Sequence, residues 1–142
     1  AGTPPIAIPR YACGCGQVGC IDAIGSARGM ERLHRHLHGS DLASTQIMAA
    51  WGAGDAAAQR TVDCYIDIVS GPLAMTINIV GASIVPVGGG LANCVPLIQR
   101  LDQAVRARIL RKTDTALVVP AELQIEPGLI GAGVLGLMET AK

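Results

Sequence analysis

The chain has 142 residues, and eleven basic residues balance eleven acidic ones, so its formal net charge at pH 7 is zero. A neutral chain has no net electrostatic field that favours nucleic acid, and no uninterrupted apolar run is long enough to cross a bilayer. The length is that of a single domain, 1–142, and with no Phe, one Trp and two Tyr its core is expected to be aliphatic.

The first twenty residues are predicted to form an extended segment and a cysteine-rich loop, ahead of an α/β body over 21–142. Pro4, Pro5 and Pro9 fix φ and push the residues before them toward extended conformations. No charged leader followed by an apolar stretch is visible, so we expect a cytoplasmic protein. Because the chain opens at Ala1 rather than Met, we also expect it to be part of a larger protein.

Three thiols lie within eight residues, in the run CGCGQVGC that begins at Cys13. The intervening glycines let the backbone fold back, so Cys13, Cys15 and Cys20 can point at one place. Thiolates gathered in this way typically hold a structural Zn²⁺. The alternative is a disulfide between two of the thiols, which an oxidising compartment would favour. The residues favour zinc, with no obvious fourth ligand.

Helices are predicted over 21–37, in a short segment that ends near Trp51, and over 55–80. In the first, Gly25 and Gly29 share one face, which suits close packing against another backbone. Ser40 or Asp41 is expected to cap the second helix, and Asp55 to cap the third. The third helix has the longest apolar periodicity in the chain. Pro72 is expected to kink it or to split it into two helices.

A short, apolar and β-branched segment over 83–87 is predicted to be a buried strand, and 116–119 is predicted to be a second strand. Three glycines follow the first of them and must form a turn. A helix over 95–111 separates the strands, and a nearly all-apolar helix over 128–139 follows the second. This order of elements predicts an α/β layered domain with a partly parallel sheet.

Three histidines and two isolated cysteines are predicted to be structural. His34, His36 and His38 alternate along the first helix, so they point to different faces and cannot form one ligand set. We expect them on solvated helix surface. Cys64 and Cys94 are interpreted as ordinary buried or half-buried thiols rather than nucleophiles.

The cysteine run, with the acidic Asp22 and a helix after it, resembles the signature of the ROK sugar kinases (repressor, open reading frame, kinase). The resemblance continues through the strand and glycine-rich turn IVPVGGGLAN, which starts at Ile84, and through GLIGA, which starts at Gly128. It spans nearly the whole chain and is greatest to bacterial N-acetylglucosamine kinases. It implies an actin-like (ribonuclease H-like) ATPase fold, of which this chain is the C-terminal domain, with a layered, mostly parallel sheet and flanking helices.

The resemblance also implies roles for individual residues. In the family, a His after a Gly supplies the fourth zinc ligand upstream of the first Cys, and that position falls on Thr3 here. The residue at the position of Asp22 is usually Glu and hydrogen-bonds hydroxyls of the sugar, although an Asp also serves as a helix N-cap. The strand and turn lie near the adenosine of ATP, which implies contacts from four residues: Gly88, Gly89, Gly90 and Asn93.

The implied activity is transfer of the γ-phosphoryl of ATP, with Mg²⁺, to the 6-hydroxyl of N-acetylglucosamine or N-acetylmannosamine. The family carries its phosphate loop and its catalytic Asp, which follows an Asn, in an N-terminal domain. Neither Asn78 nor Asn93 precedes an Asp. The chain therefore resembles a kinase half without catalytic residues, which we expect to be inactive alone and to form a homodimer.

The sequence is also compatible with two other functions. The first is the sugar-sensing and dimerisation domain of a ROK transcriptional repressor, which carries a winged helix in place of the catalytic domain. The second is a stand-alone structural domain that binds zinc. An encoding gene that specifies a helix-turn-helix upstream of Ala1 would indicate the repressor.

Overall fold

The computed structural model describes residues 10–122 and 127–140, so Thr3 and most of the predicted extended segment lie outside the described residues. The described part contains six helices and two strands. The helices are α1 (Asp22–Gly25), α2 (Ala27–His38), α3 (Ser44–Gly52), α4 (Ala56–Val80), α5 (Val95–Arg106) and α6 (Pro127–Thr140). The strands are β1 (Val85–Val87) and β2 (Val118–Pro120), and a 3₁₀ turn (Gly90–Asn93) precedes α5.

The predicted helix over 21–37 is in fact two helices that meet at Ser26. This residue is extended, and its hydroxyl accepts a hydrogen bond from Gly29 N at 3.1 Å, so it caps the N-terminus of α2. The two helices approach so closely that a Cβ on Gly29 would lie 2.1 Å from the carbonyl oxygen of Ile24. The predicted close packing therefore holds at Gly29, where it occurs within the α1–α2 junction.

The cap predicted for the next helix is wrong. Helix α3 begins after Ala43, which has no side-chain acceptor, and Glu31 of α2 instead accepts from the N–H of Ser44 at 2.8 Å. The carboxylate of Asp41 is engaged by Arg35. Side chains of α2 therefore position the start of α3.

Helix α4 is the longest element, and it is capped as predicted. The Asp55 carboxylate accepts from Ala58 N at 2.8 Å, and the helix ends at Gly81, where φ is +69°. The helix continues through Pro72 as one element of 25 residues instead of splitting. Buried side chains on both sides of the proline, Ser70 and Ala74, hold the two halves in the core. Tertiary packing therefore offsets the lost backbone hydrogen bond.

The two strands form a parallel sheet in which Val85 pairs with Val118. Helix α5 connects them, so β1, α5 and β2 form the βαβ unit expected of an α/β domain. One buried side chain fastens this unit. Asp102 of α5 accepts from the N–H groups of Leu117 and Val118 at 2.8 and 2.9 Å, and its other oxygen accepts from Arg106.

The core is aliphatic, as the composition predicts. Helices α2, α3, α4 and α5 pack around it together with the sheet. Its largest fully buried apolar side chains are Met30, Leu33, Ile47, Val62, Leu97, Val105, Leu117 and Val118. In contrast, the described residues of α6 from 128 onward are exposed although most are apolar. No helix in the described ranges is both long enough and apolar enough to span a membrane.

The surface position predicted for His34 is wrong, since only 1 % of this residue is exposed. The Thr61 hydroxyl donates to Ala57 O, so it accepts from Nδ1 of His34 at 2.8 Å. Nε2 of His34 then accepts from the Ser40 hydroxyl at 3.2 Å. Burial lowers the pKa of His34. His36 is exposed, as predicted.

Candidate metal centre and glycine-lined cavity

The cysteine-rich loop is a small hairpin that turns back on itself. Cys13 N donates to Gln17 O at 2.9 Å, and Gly19 N donates to Tyr11 O at 2.8 Å. Gly16 and Gly19 both have φ of +87°, a conformation that side chains disfavour. The glycine spacing therefore produces the fold-back that the sequence predicts.

The hairpin brings the three predicted thiols together. The sulfurs of Cys13, Cys15 and Cys20 all lie within 4.8 Å of one another, and Sγ of Cys15 is 3.6 Å from Sγ of Cys20. All five cysteines of the chain are free thiols. Two thiolates on a tetrahedral zinc ion lie about 3.8 Å apart, given Zn–S bonds of about 2.3 Å. The donor set and its spacing therefore fit zinc.

The thiols also shift one another's pKa values. The backbone N–H of Gln17, with the neighbouring thiols, lowers the pKa of Cys15. The hydrogen bond with Cys15, together with burial, raises the pKa of Cys20 to about 11. Within the described ranges, no His, Asp or Glu side chain joins these thiols in a cluster of metal-binding spacing.

Asp22 lies beside this cluster as the first residue of α1. Its Oδ2 accepts from the Cys13 thiol at 3.8 Å, and its side chain is exposed. It also lines a groove of about 370 Å³ between α1 and α4, together with Ser26 and Thr76. A carboxylate at this place can accept hydrogen bonds from hydroxyl groups of a ligand in the groove.

The three predicted glycines line a second cavity, of about 270 Å³, beyond the carboxyl end of β1. Cβ atoms added to Gly88 or Gly90 would meet no atom within 4 Å, and Gly89 has φ of +87°. A ligand can therefore approach the backbone closely here. The opposite wall includes Gly25 and Ser26, whereas Asn93 is exposed and does not line the cavity.

Tyr65 is a component of this cavity that the sequence does not reveal. It lies on α4, lines the cavity, and donates a 2.7 Å hydrogen bond to Gly25 O. Because Gly25 and Ser26 line both the cavity and the Asp22 groove, this bond fixes the wall between them. Periodicity marks Tyr65 only as one member of an apolar helix face. Its partner lies 40 residues earlier in the chain.

Comparisons with known proteins agree with this architecture. The sequence model described as "ROK family" matches residues 5–139. The N-acetyl-D-glucosamine kinase of Pasteurella multocida is 33% identical over 129 residues, which are 91% of this chain and 42% of that protein. The enzyme of the same name from Yersinia pseudotuberculosis is 33% identical over 132 residues, 93% of this chain and 43% of that protein. The chain therefore spans less than half the length of these curated relatives.

Two solved structures have similar folds. The ROK hexokinase of Thermus thermophilus gives a TM-score of 0.77 at 27% identity, over 96% of this chain and 47% of that one. The ROK family glucokinase of Streptomyces griseus, solved with glucose and AMPPNP, gives 0.73 at 23% identity, over 89% of this chain and 47% of that one. The second likeness bears on the fold alone.

Proposed function

The chain belongs to the ROK family and has its actin-like α/β fold, and on this premise we propose that it is the C-terminal part of an ATP-dependent sugar kinase. The whole protein would transfer the γ-phosphoryl of ATP to the 6-hydroxyl of N-acetylglucosamine, with N-acetylmannosamine as the alternative substrate. The support is the name shared by its relatives at 33% identity.

In this proposal the chain is one domain that supplies binding surfaces rather than the chemical step. The glycine-lined cavity takes the adenosine, with Gly88, Gly89 and Gly90 as contacts and Asn93 at the far end of the 3₁₀ turn. Phosphoryl transfer also needs a positioned base and a phosphate cradle with Mg²⁺. No Asn-Asp pair and no Asp-x-Gly loop occur in this sequence, so the chain alone would not catalyse the reaction.

The sugar would lie on the other side of the α1–α2 junction. There the Asp22 carboxylate accepts hydrogen bonds from sugar hydroxyls at the mouth of the groove. Cys13, Cys15 and Cys20 hold a structural zinc ion, which keeps the hairpin before α1 folded. Because Asp22 follows the last thiol by two residues, a rigid hairpin fixes the position of the backbone that carries this carboxylate.

The glycine-lined cavity carries the nucleotide part of the proposal, and calorimetric titration with AMPPNP tests it. In Gly88→Val the new side chain enters the cavity without meeting protein atoms near its Cβ, so binding should fall at least tenfold, about 1.4 kcal/mol, while the fold persists. The matched control is Gly71→Ala in α4, whose Cβ also enters open space away from the cavity. Equal binding by both variants would contradict the proposal that the nucleotide binds in this cavity.

The gene upstream of Ala1 distinguishes the kinase from a repressor. A phosphate loop with an Asn-Asp motif would support the kinase, and the complete product should then phosphorylate N-acetylglucosamine or N-acetylmannosamine with ATP. A helix-turn-helix would instead indicate that this chain is the sugar-sensing and dimerising module of a repressor. The name shared by the relatives at 33% identity favours the kinase.

A further inference from the structure

The zinc site proposed above has three thiolate ligands, whereas structural zinc sites in proteins are almost always four-coordinate. Two side-chain oxygens lie next to the thiols. Oδ2 of Asp22 is 3.8 Å from Sγ of Cys13, and Oε1 of Gln17 is 3.8 Å from Sγ of Cys20. Each oxygen lies near one of the three sulfurs, so each is a candidate for the fourth ligand after its side chain rotates.

The distances match the edges of a zinc tetrahedron. A sulfur and an oxygen bound to the same zinc ion lie about 3.6 Å apart, given bonds of about 2.3 and 2.1 Å. The observed separation of 3.8 Å between Asp22 and Cys13 is close to this edge. The separation of 3.6 Å between Cys15 and Cys20 is close to the sulfur–sulfur edge. These two edges agree with a tetrahedral site, whereas the Asp22 oxygen does not lie within 4.8 Å of all three sulfurs.

Donor chemistry separates the two oxygens. Zinc in proteins takes Cys, His, Asp and Glu ligands, and a carboxylate brings a negative charge that a neutral amide lacks. The Cys13 thiol is also the only side-chain hydrogen-bond partner of Asp22 among the residues that the structure describes. Binding the ion therefore replaces one weak hydrogen bond of an exposed group, which costs little.

We propose that Asp22 is the fourth ligand of a zinc ion held by Cys13, Cys15 and Cys20. The inference rests on the zinc site of the proposed function and adds a ligand to it. Asp22 is not among the ligand atoms that lie within 4.8 Å of one another, so its exposed side chain rotates toward the thiols on binding. With Oδ2 on the metal, Oδ1 stays available at the mouth of the groove. The ion then fixes directly the carboxylate that faces the sugar.

Cobalt substitution and chelator competition test the assignment on the 142-residue chain. Charge-transfer absorption reports thiolates on Co²⁺, and the visible d–d bands report the coordination geometry. In Asp22→Asn the charge-transfer intensity should persist, while the d–d bands change and the affinity for Zn²⁺ falls by about 10- to 100-fold. Asp22→Glu keeps a carboxylate and should recover most of the affinity. Circular dichroism of each variant checks that the fold is retained.

Two further variants separate the outcomes. If Gln17→Ala changes the cobalt spectrum and Asp22→Asn does not, the fourth ligand is Gln17 and the assignment is overturned. Spectra unchanged in both variants would leave water as the fourth ligand and overturn it as well. Cys15→Ser should abolish binding. If the unaltered chain itself binds neither Zn²⁺ nor Co²⁺, the zinc site of the proposed function fails, whereas the nucleotide titration is unaffected by that result.

Discussion

At the scale of single residues, the phenol of Tyr65 links pH to stability. Burial raises its pKa to about 12, against an ordinary value of 10.0, because a phenolate in the core would lose its hydration. The folded state therefore favours the protonated form. The corresponding stability is complete below pH 10 and is lost as the pH rises toward 12. A pKa difference of this size is worth about 3 kcal/mol.

We therefore expect the free energy of unfolding to fall between pH 10 and 12, as measured by urea denaturation. In Tyr65→Phe the fall should be much smaller, and at pH 7 the variant should lose about 1–3 kcal/mol because Gly25 O loses its donor. The control is Tyr11→Phe. Burial also raises the pKa of Tyr11, but this residue is only half-buried. The free energy of unfolding of Tyr11→Phe should therefore fall between pH 10 and 12 nearly as much as that of the unaltered chain. Equal pH dependence in all three proteins would contradict the assignment to Tyr65.

The sequence predicts well those residues whose partners are close along the chain. Three thiols separated by glycines in one hairpin are an example, because local backbone geometry decides where they point. His34 illustrates the limit. Its alternation with His36 and His38 shows that the three cannot share a face, but not which of them is buried. That depends on Thr61, which lies 27 residues away along the chain.

At the scale of elements, the junction between α1 and α2 depends on Gly29. A Cβ there would lie 2.1 Å from a backbone oxygen that no rotamer change can move. Gly29→Ala should therefore cost about 3 kcal/mol of stability and weaken AMPPNP binding, because Gly25 and Ser26 line the cavity. In the control Gly25→Ala, the nearest atoms lie at 3.8 Å, an ordinary contact. Urea denaturation measures both variants, and equal stability would contradict this account of the junction.

At this scale, a strong hydrophobic periodicity in the sequence predicts an element, whereas a break within a helix is harder to predict. The apolar period of α4 is correct from Asp55 onward, and packing on both sides explains why Pro72 does not split it. The break at Ser26 interrupts no apolar pattern, so periodicity alone cannot reveal it. A signal was nevertheless present, because Ser is a preferred N-cap residue. Short apolar runs predict both strands, with bounds displaced by at most two residues.

At the scale of the whole molecule, α6 is an apolar helix whose side chains are not buried. Its large apolar side chains are exposed, with 71% of Leu129, 65% of Leu135 and 73% of Leu137 accessible. A helix that is apolar on all sides is normally buried, and a contiguous apolar surface of this kind promotes association. We expect the chain to associate with itself at micromolar concentrations, which is the behaviour expected of the homodimer that the family resemblance implies.

Sedimentation velocity over a range of concentrations measures this association. A chain shortened to residues 1–122 should remain monomeric and keep the helical circular dichroism of α2, α4 and α5, since the core residues all precede that point. Leu110→Asp is the control, because Leu110 is 86% exposed but lies outside α6. This variant should associate as the unaltered chain does. If the shortened chain associates equally well, the interface lies elsewhere, and the exposed apolar end of α4, with Ile79 and Val80, becomes the surface to alter next.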